Sequence, residues 1–214
     1  MTTLTKIKKN WFDFGMSYLY LADLACKEMC IEEKPEYYSE DLYIATIFNI
    51  KHSIEVNLKS LIVLLEDRQI SKKLEHHNQE EILNEIHRLV GEKKIIDLIE
   101  KLTEKNKNNK EWIFKDIKEK KDVVLKMLDM AKLVSKYHQL NFLKDKIGSD
   151  FIIEDTNNTA FKYPQNNLLI KLDYEEILKK IDKKDILRIT IDVSKLIDYF
   201  LTLNTLFDEC IKEK

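Results

Sequence analysis

The chain has 214 residues, of which 44% are hydrophobic and 35% charged, and its 36 basic and 38 acidic side chains give a formal net charge of −2. This composition excludes a disordered chain and a strong global attraction to nucleic acids or membranes. Because only three glycines and two prolines occur, folds rich in tight turns are disfavoured, and one all-α domain spanning residues 1–214 is expected.

The first predicted helix covers about residues 5–33 and carries two apolar stripes at helical spacing. One stripe contains Trp11, Phe14, Tyr18, Leu21 and Ala25, and the other contains Phe12, Met16, Leu19 and Cys26. Two stripes on one helix predict a central element that packs on more than one side.

The second predicted helix begins after an N-cap at Ser39 and runs to about residue 67. Aliphatic residues recur in it at steps of three and four, which predicts one continuous buried face: Ile47, Ile50, Ile54, Leu58, Leu61 and Leu65. An adjacent, partly apolar stripe carries His52, Glu55 and Lys59 at the same spacing.

Further helices are predicted at about residues 79–90, 95–102, 113–134 and 184–210, giving an up-and-down bundle of about five to six helices. The last of these has apolar residues at steps of three and four throughout, as in a bundle interface within the chain or between two copies. Near residues 150–172 the helical spacing of apolar residues gives way to short β-like runs separated by turns. This change predicts a small β-hairpin or ordered loop, followed by a short helix at 174–181.

Cysteine usage and the N-terminal segment indicate a cytoplasmic protein. Cys26, Cys30 and Cys210 lie inside apolar helical patterns and are predicted to be buried and reduced. Charged residues interrupt the first 30 positions, which excludes a signal peptide and a membrane span there, so no membrane partner is expected.

The segment Ile-Glu-Val-Asn-Leu-Lys at 54–59 is the first candidate site. Glu55 and Lys59 are four residues apart with the acid first, so they can pair on the helix surface, and His52 lies on the same side. The three side chains could line a groove for a phosphate or a base, or they could form a structural ion pair that fixes packing.

The sequence His76-His77-Asn78 is the second candidate. Asn78 suits the N-cap of the helix that follows, and either histidine could orient the turn or act as a catalytic base. A metal site would pair His77 with Glu81, but no third ligand accompanies them, so neither a metal nor another cofactor is predicted.

The segment at 54–59, followed by His77-Asn78 at the start of the next helix, resembles the HEPN superfamily of small helical bundles. Members often show an aliphatic–Glu–x–x–Leu–Lys segment and then a His-Asn or His-Asp box. Phe-Lys-Tyr-Pro at 161–164, with Tyr163, resembles an aromatic–basic–Tyr–Pro feature of some members. The matching pieces span roughly 41–89 and 161–207, about half of the chain.

Many HEPN proteins are metal-independent ribonucleases with an arginine and, four to six residues later, a histidine. Here seven residues separate Arg68 from His76 and eight separate it from His77. No histidine follows Arg88 until His138, and none follows Arg188, so that motif is absent. The resemblance therefore implies a non-nuclease member that binds RNA or a nucleotide, acts in a toxin–antitoxin or phage-defence system, or partners a nucleotidyltransferase.

Two alternatives stay open: an atypical metal-independent ribonuclease that uses His76 or His77 with Arg68 or Lys59, and a helical adaptor with no nucleic-acid role.

The resemblance and the two stripes of the first helix also predict a symmetric homodimer. As a binding site, we expect His52, Glu55, Lys59, His77 and Asn78 to converge on one groove, with Lys59 the closest of the first three to His77.

Overall fold

The computed structural model describes residues 3–31, 36–66, 79–91, 94–108, 117–138 and 181–212. These residues form six α-helices and contain no strand, which confirms the predicted all-α bundle. The helices are α1 (Thr3–Met29), α2 (Glu36–Glu66), α3 (Gln79–Gly91), α4 (Lys94–Lys105), α5 (Ile117–His138) and α6 (Lys183–Lys212). The predicted hairpin near 150–172 lies outside the described residues, as does the short helix at 174–181 except for its last residue.

The helix ends differ from the prediction by a few residues. The second helix begins at Glu36, three residues before Ser39, so the predicted N-cap at Ser39 is wrong. An acidic residue is also favourable at a helix N-terminus, so the earlier start agrees with the sequence. Within the described ranges, no helix carries an apolar stretch long enough to cross a membrane.

The start of α6 shows in detail how local sequence sets a helix end. The Asp182 carboxylate accepts hydrogen bonds from the backbone N–H groups of Lys184 at 2.8 Å and Asp185 at 3.1 Å. The Asp185 carboxylate accepts in return from the N–H of Asp182 at 3.0 Å. This reciprocal arrangement satisfies N–H groups that have no partner inside the helix, and such caps stabilise by about 1 kcal/mol.

The central element of the bundle is α2, which contacts all five other described helices. Between residues 50 and 63 only His52 and Val56 are partly exposed, and every other side chain is buried. The expectation that the first helix is central is therefore wrong. The sequence predicts one buried face for α2 because polar residues such as Glu55 and Lys59 interrupt its apolar pattern.

Helix α1 packs chiefly against α2 and next against α6. Its second predicted stripe is buried: Phe12, Met16, Leu19 and Cys26 are all at most 5% exposed. Phe12 meets Phe200 of α6 edge to face, with ring centroids 6.0 Å apart. Its first stripe is mostly outside the core, since Trp11, Phe14 and Leu21 are exposed.

Helices α5 and α6 complete the core. The predicted interface of α6 is confirmed over the side chains that the structure describes, which are all buried: Ile186, Ile189, Val193, Leu196, Phe200 and Leu203. On α5 the structure buries Val123, Met130, Ala131 and Tyr137.

Candidate functional site

Glu55 and Lys59 form the ion pair that their spacing predicts, with Lys59 Nζ donating to Glu55 Oε1 at 2.8 Å. The pair is inside the bundle instead of on the helix surface: Glu55 is 2% exposed and Lys59 7%. A pair that is so enclosed presents little surface to a dissolved phosphate or base. The geometry therefore favours the structural interpretation, an ion pair that fixes how α2 packs.

The pair belongs to a larger set of polar side chains buried along α2. Lys51, four residues before Glu55, is fully buried, and Asn57 donates from Nδ2 to Ser53 Oγ at 3.1 Å. Moving charges from water into a protein interior costs several kcal/mol per ion, which a well-formed pair offsets only in part. Such groups specify one packing arrangement at a cost in stability.

His52 lies in a different environment, on the strip of α2 that reaches solvent. Its ring stacks on Phe48, with centroids 5.6 Å apart and an interplanar angle of 8°. Tyr18 of α1 also meets the His52 ring edge to face at 4.5 Å, and Phe14 meets Tyr18 edge to face at 5.0 Å. We call Phe14, Tyr18, His52 and Phe48 the aromatic ladder.

The ladder is partly open to solvent. Phe14 is 54% exposed, and the other three rings are partly buried. Each edge-to-face or stacked pair contributes about 0.5–1.5 kcal/mol beyond the area that it buries. The ladder thus forms a row of pre-positioned rings across the α1–α2 junction.

Helical geometry explains why His52 and Glu55 face different surroundings. A step of three residues turns the helix by about 300° and a step of four by about 400°, so Val56 lies closer in angle to His52 than Glu55 does. Val56 is accordingly the partly exposed neighbour, while Glu55 is turned into the core. His52, Glu55 and Lys59 are predicted to lie on one side of α2. In the structure His52 reaches solvent, whereas Glu55 and Lys59 are buried.

The remaining predicted site residues lie outside the described residues: Arg68, His76, His77, Asn78 and Tyr163. Their convergence with α2 therefore stays a prediction. Within the part of the chain that the structure describes, no three His, Cys, Asp or Glu side chains lie close enough to hold a metal ion.

A second polar cluster, which the sequence analysis missed, joins α5 to α6. The Tyr137 hydroxyl donates to Asp192 Oδ2 at 3.2 Å, and Lys136 Nζ donates to the same oxygen. Asp192 is buried and Tyr137 is fully so. Burial, together with the Asp192 charge, raises the pKa of Tyr137 well above its ordinary value of 10.0, so the phenol stays neutral and serves as a hydrogen-bond donor.

Cys26 is also buried, and burial raises the pKa of its thiol from 9.0 to about 11, opposed by a hydrogen bond with Thr190. A thiol that stays protonated at neutral pH is a poor nucleophile. Cys30 is exposed, so the expectation that it is buried is wrong. It follows Met29, the last residue of α1.

Comparison of the chain with protein-family models, curated proteins and solved structures finds no match. The resemblance to HEPN bundles therefore depends on this chain's own residues. Of the features that the sequence analysis missed, Lys51 could have been found from its four-residue spacing to Glu55. The contact between Tyr137 and Asp192 carries no local signal.

Proposed function

We propose that this chain is a HEPN-like helical binding and interaction protein and that the aromatic ladder is its binding surface. The observation that carries the proposal is the position of His52. It lies on the strip of α2 that reaches solvent, and its ring contacts the rings of Phe48 and Tyr18. Rings held in this way lose little conformational freedom when a flat ligand stacks on them.

The ligand class that suits the ladder is single-stranded RNA or a nucleotide. Nucleobases stack on aromatic side chains with about 1–3 kcal/mol per base, and unpaired bases offer a free ring face. The balanced charge and the presence of only three arginines disfavour binding through phosphates. The proposal therefore requires base stacking to supply most of the affinity.

The resemblance supports a wider setting for this activity, a toxin–antitoxin or phage-defence system with a nucleotidyltransferase as a protein partner. The support for that setting is the resemblance of three segments of the sequence, at 54–59, 77–78 and 161–164.

The test is fluorescence anisotropy of a labelled, unstructured single-stranded RNA with the full chain, using His52→Ala as the variant. His87 is exposed on α3, so His87→Ala is a matched control that removes the same ring elsewhere. We expect His52→Ala to weaken binding about tenfold or more, in line with the loss of one stacking contact, and His87→Ala to have no effect. Because His52→Ala removes two ring contacts, its melting temperature should fall. A single cooperative transition well above the assay temperature shows that the fold is kept.

The salt dependence of binding separates stacking from phosphate contacts. For a single strand, each neutralised phosphate adds about 0.7 to the slope of log affinity against log salt. We expect the measured slope to be smaller than the slope that about two phosphate contacts would give. Absence of binding at about 100 μM protein would exclude the RNA proposal and favour the adaptor alternative.

The ribonuclease alternative uses His76 or His77 with Arg68 or Lys59, and of these four only Lys59 lies within the described residues. Incubation of the same RNA with the pure chain and with His77→Ala tests it. Cleavage by the unmodified chain and not by His77→Ala would establish that alternative.

A further inference from the structure

Trp11 lies on the same side of α1 as the two rings that this helix contributes to the aromatic ladder. Steps of three and seven residues place Phe14 and Tyr18 within about 60° of Trp11 around the helix axis. Trp11 is 43% exposed and Phe14 is 54% exposed, so both rings are open to solvent. Trp11 is therefore positioned to add one more ring next to Phe14, at the more exposed end of the ladder.

The helices α1 and α2 run in opposite directions where the ladder joins them. Asn57 of α2 lies against Gly15 of α1. Three residues further along α1, Tyr18 meets His52, which precedes Asn57 on α2. A row of rings that advances along α1 toward Tyr18 therefore continues in the same direction when it passes backward along α2.

This direction fixes the length of the row. From Trp11 to Tyr18 the rings advance about 10 Å along α1, at about 1.5 Å per residue, and from His52 to Phe48 they continue by about 6 Å. The ladder and Trp11 together form a row on the order of 16 Å long.

The α2 side of the row presents uncharged surface. Between residues 48 and 56 the partly exposed side chains are Phe48, Asn49, His52 and Val56, whereas the lysine and the glutamate of this stretch are buried. Ring and apolar surface of this kind suits the uncharged faces of bases better than it suits phosphate groups.

We propose that Trp11 extends the aromatic ladder into a track for consecutive bases of single-stranded RNA, so that the ligand is a strand and not a free nucleotide. This inference rests on the RNA-binding function proposed above. Successive nucleotides of a stacked strand are about 3.4 Å apart, so a row on the order of 16 Å spans about four to five of them. A mononucleotide would leave most of the rings without a base.

The first test is the dependence of affinity on the length of the RNA. Unlabelled uridine monophosphate and oligouridylates of about two to eight nucleotides compete with a labelled oligouridylate for the full chain, and fluorescence anisotropy reports the competition. Because every base has a face that can stack, each added nucleotide should tighten binding until the row is filled, at about five nucleotides. Beyond that length the gain per nucleotide should be much smaller.

The second test compares two exposed aromatic residues of α1. Tyr20 is 45% exposed, nearly as much as Trp11, but nine helical residues place it on the opposite side of the helix. We expect Trp11→Ala to weaken binding of an oligonucleotide of about six nucleotides about tenfold, and Tyr20→Ala to leave it unchanged. Trp11→Phe keeps a ring and should retain most of the affinity.

The shortest oligonucleotide separates loss of a stacking ring from damage to the fold. With about two nucleotides, Trp11→Ala should change affinity by no more than about twofold, because the remaining rings still accept two bases. A structural defect would weaken both lengths to the same extent. Binding that requires His52 but is unchanged in Trp11→Ala overturns this inference and leaves the proposed function in place, as does equal affinity for the mononucleotide and the strand. If RNA of no length binds, the proposed function fails and this inference fails with it.

Discussion

The side-chain amide of Asn57 occupies the space that a Cβ atom would fill at Gly15, with Asn57 Cγ 2.7 Å from that position. This close approach lies where α1 and α2 cross. Both residues are buried, and within the described residues no donor meets Asn57 Oδ1. The crossing distance of the two most extensively packed helices is thus fixed by the absence of a side chain at residue 15.

Gly15→Ala should destabilise the protein. In an exposed helix interior this change stabilises by about 1 kcal/mol, but here the buried Asn57 amide must move, and overpacking costs about 1–3 kcal/mol. We expect a net loss of about 1–2 kcal/mol, measured as a lower midpoint in urea unfolding. In an Asn57→Ala background the same change should be neutral or stabilising, and an equal loss in both backgrounds would contradict the contact.

Lys59→Met should destabilise the protein by about 3 kcal/mol, because it leaves the buried Glu55 carboxylate without this cation. Lys107→Met is the control, since Lys107 forms an exposed pair with Glu104 and such pairs contribute about 0–1 kcal/mol. Urea unfolding measures both variants. Combining Glu55→Leu with Lys59→Met should cost less than the two single changes added together. If Lys59→Met is as stable as the original chain, the structural interpretation of the pair is wrong, and Lys59 remains a candidate for ligand binding.

Stability should fall at alkaline pH. The pKa values of Cys26, raised to about 11, and of Tyr137, raised well above 10.0, are higher in the folded chain than in the unfolded one. The unfolded state therefore loses these protons first, so stability is complete below about pH 9 and declines as the pH rises beyond it. At about 1.4 kcal/mol per pKa unit, the thiol alone accounts for up to about 2–3 kcal/mol.

Thermal melting from pH 7 to 11 measures this decline. Cys26→Ala should remove part of the pH dependence above pH 9, whereas Cys30→Ala, which removes an exposed thiol, should leave it unchanged. Identical pH profiles for the original chain and Cys26→Ala would contradict the buried environment of the thiol.

No metal should bind tightly to the chain. The residues His76, His77 and Glu81 are the nearest approach to a ligand set in the sequence, and a tetrahedral site requires more. Elemental analysis of protein purified without chelators should find less than stoichiometric zinc and manganese. Stoichiometric metal that disappears in His77→Ala would show that these residues form a site.

The fold was predictable because apolar residues at steps of three and four recur through every long segment, and α6 shows this best. The central position of α2 was not predictable in the same way. A buried lysine or glutamate has the same letter in a sequence as an exposed one, so the spacing of Glu55 and Lys59 predicts a pair on the helix surface as readily as one in the core. Only packing on all sides distinguishes the two cases.

The candidate site was predictable to a similar degree. The pairing of Glu55 with Lys59 followed from their spacing, whereas their burial did not. His52 was identified as a candidate, but its ring partner Tyr18 belongs to another helix, and helical spacing reports nothing about contacts between helices. Tyr137 and Asp192, which are 55 positions apart, form a pair for the same reason without a local pattern.

The enclosure of α2 also limits how the length of this chain can change. One inserted residue rotates the rest of a helix by about 100° and shifts it by about 1.5 Å. A helix with one buried face can absorb such a change by slipping, but the stretch from Asn57 to Val63 has no free side onto which a displaced lysine or glutamate could turn. We therefore expect related chains to differ in length in the connections between helices, and to keep the residue count of this stretch unchanged.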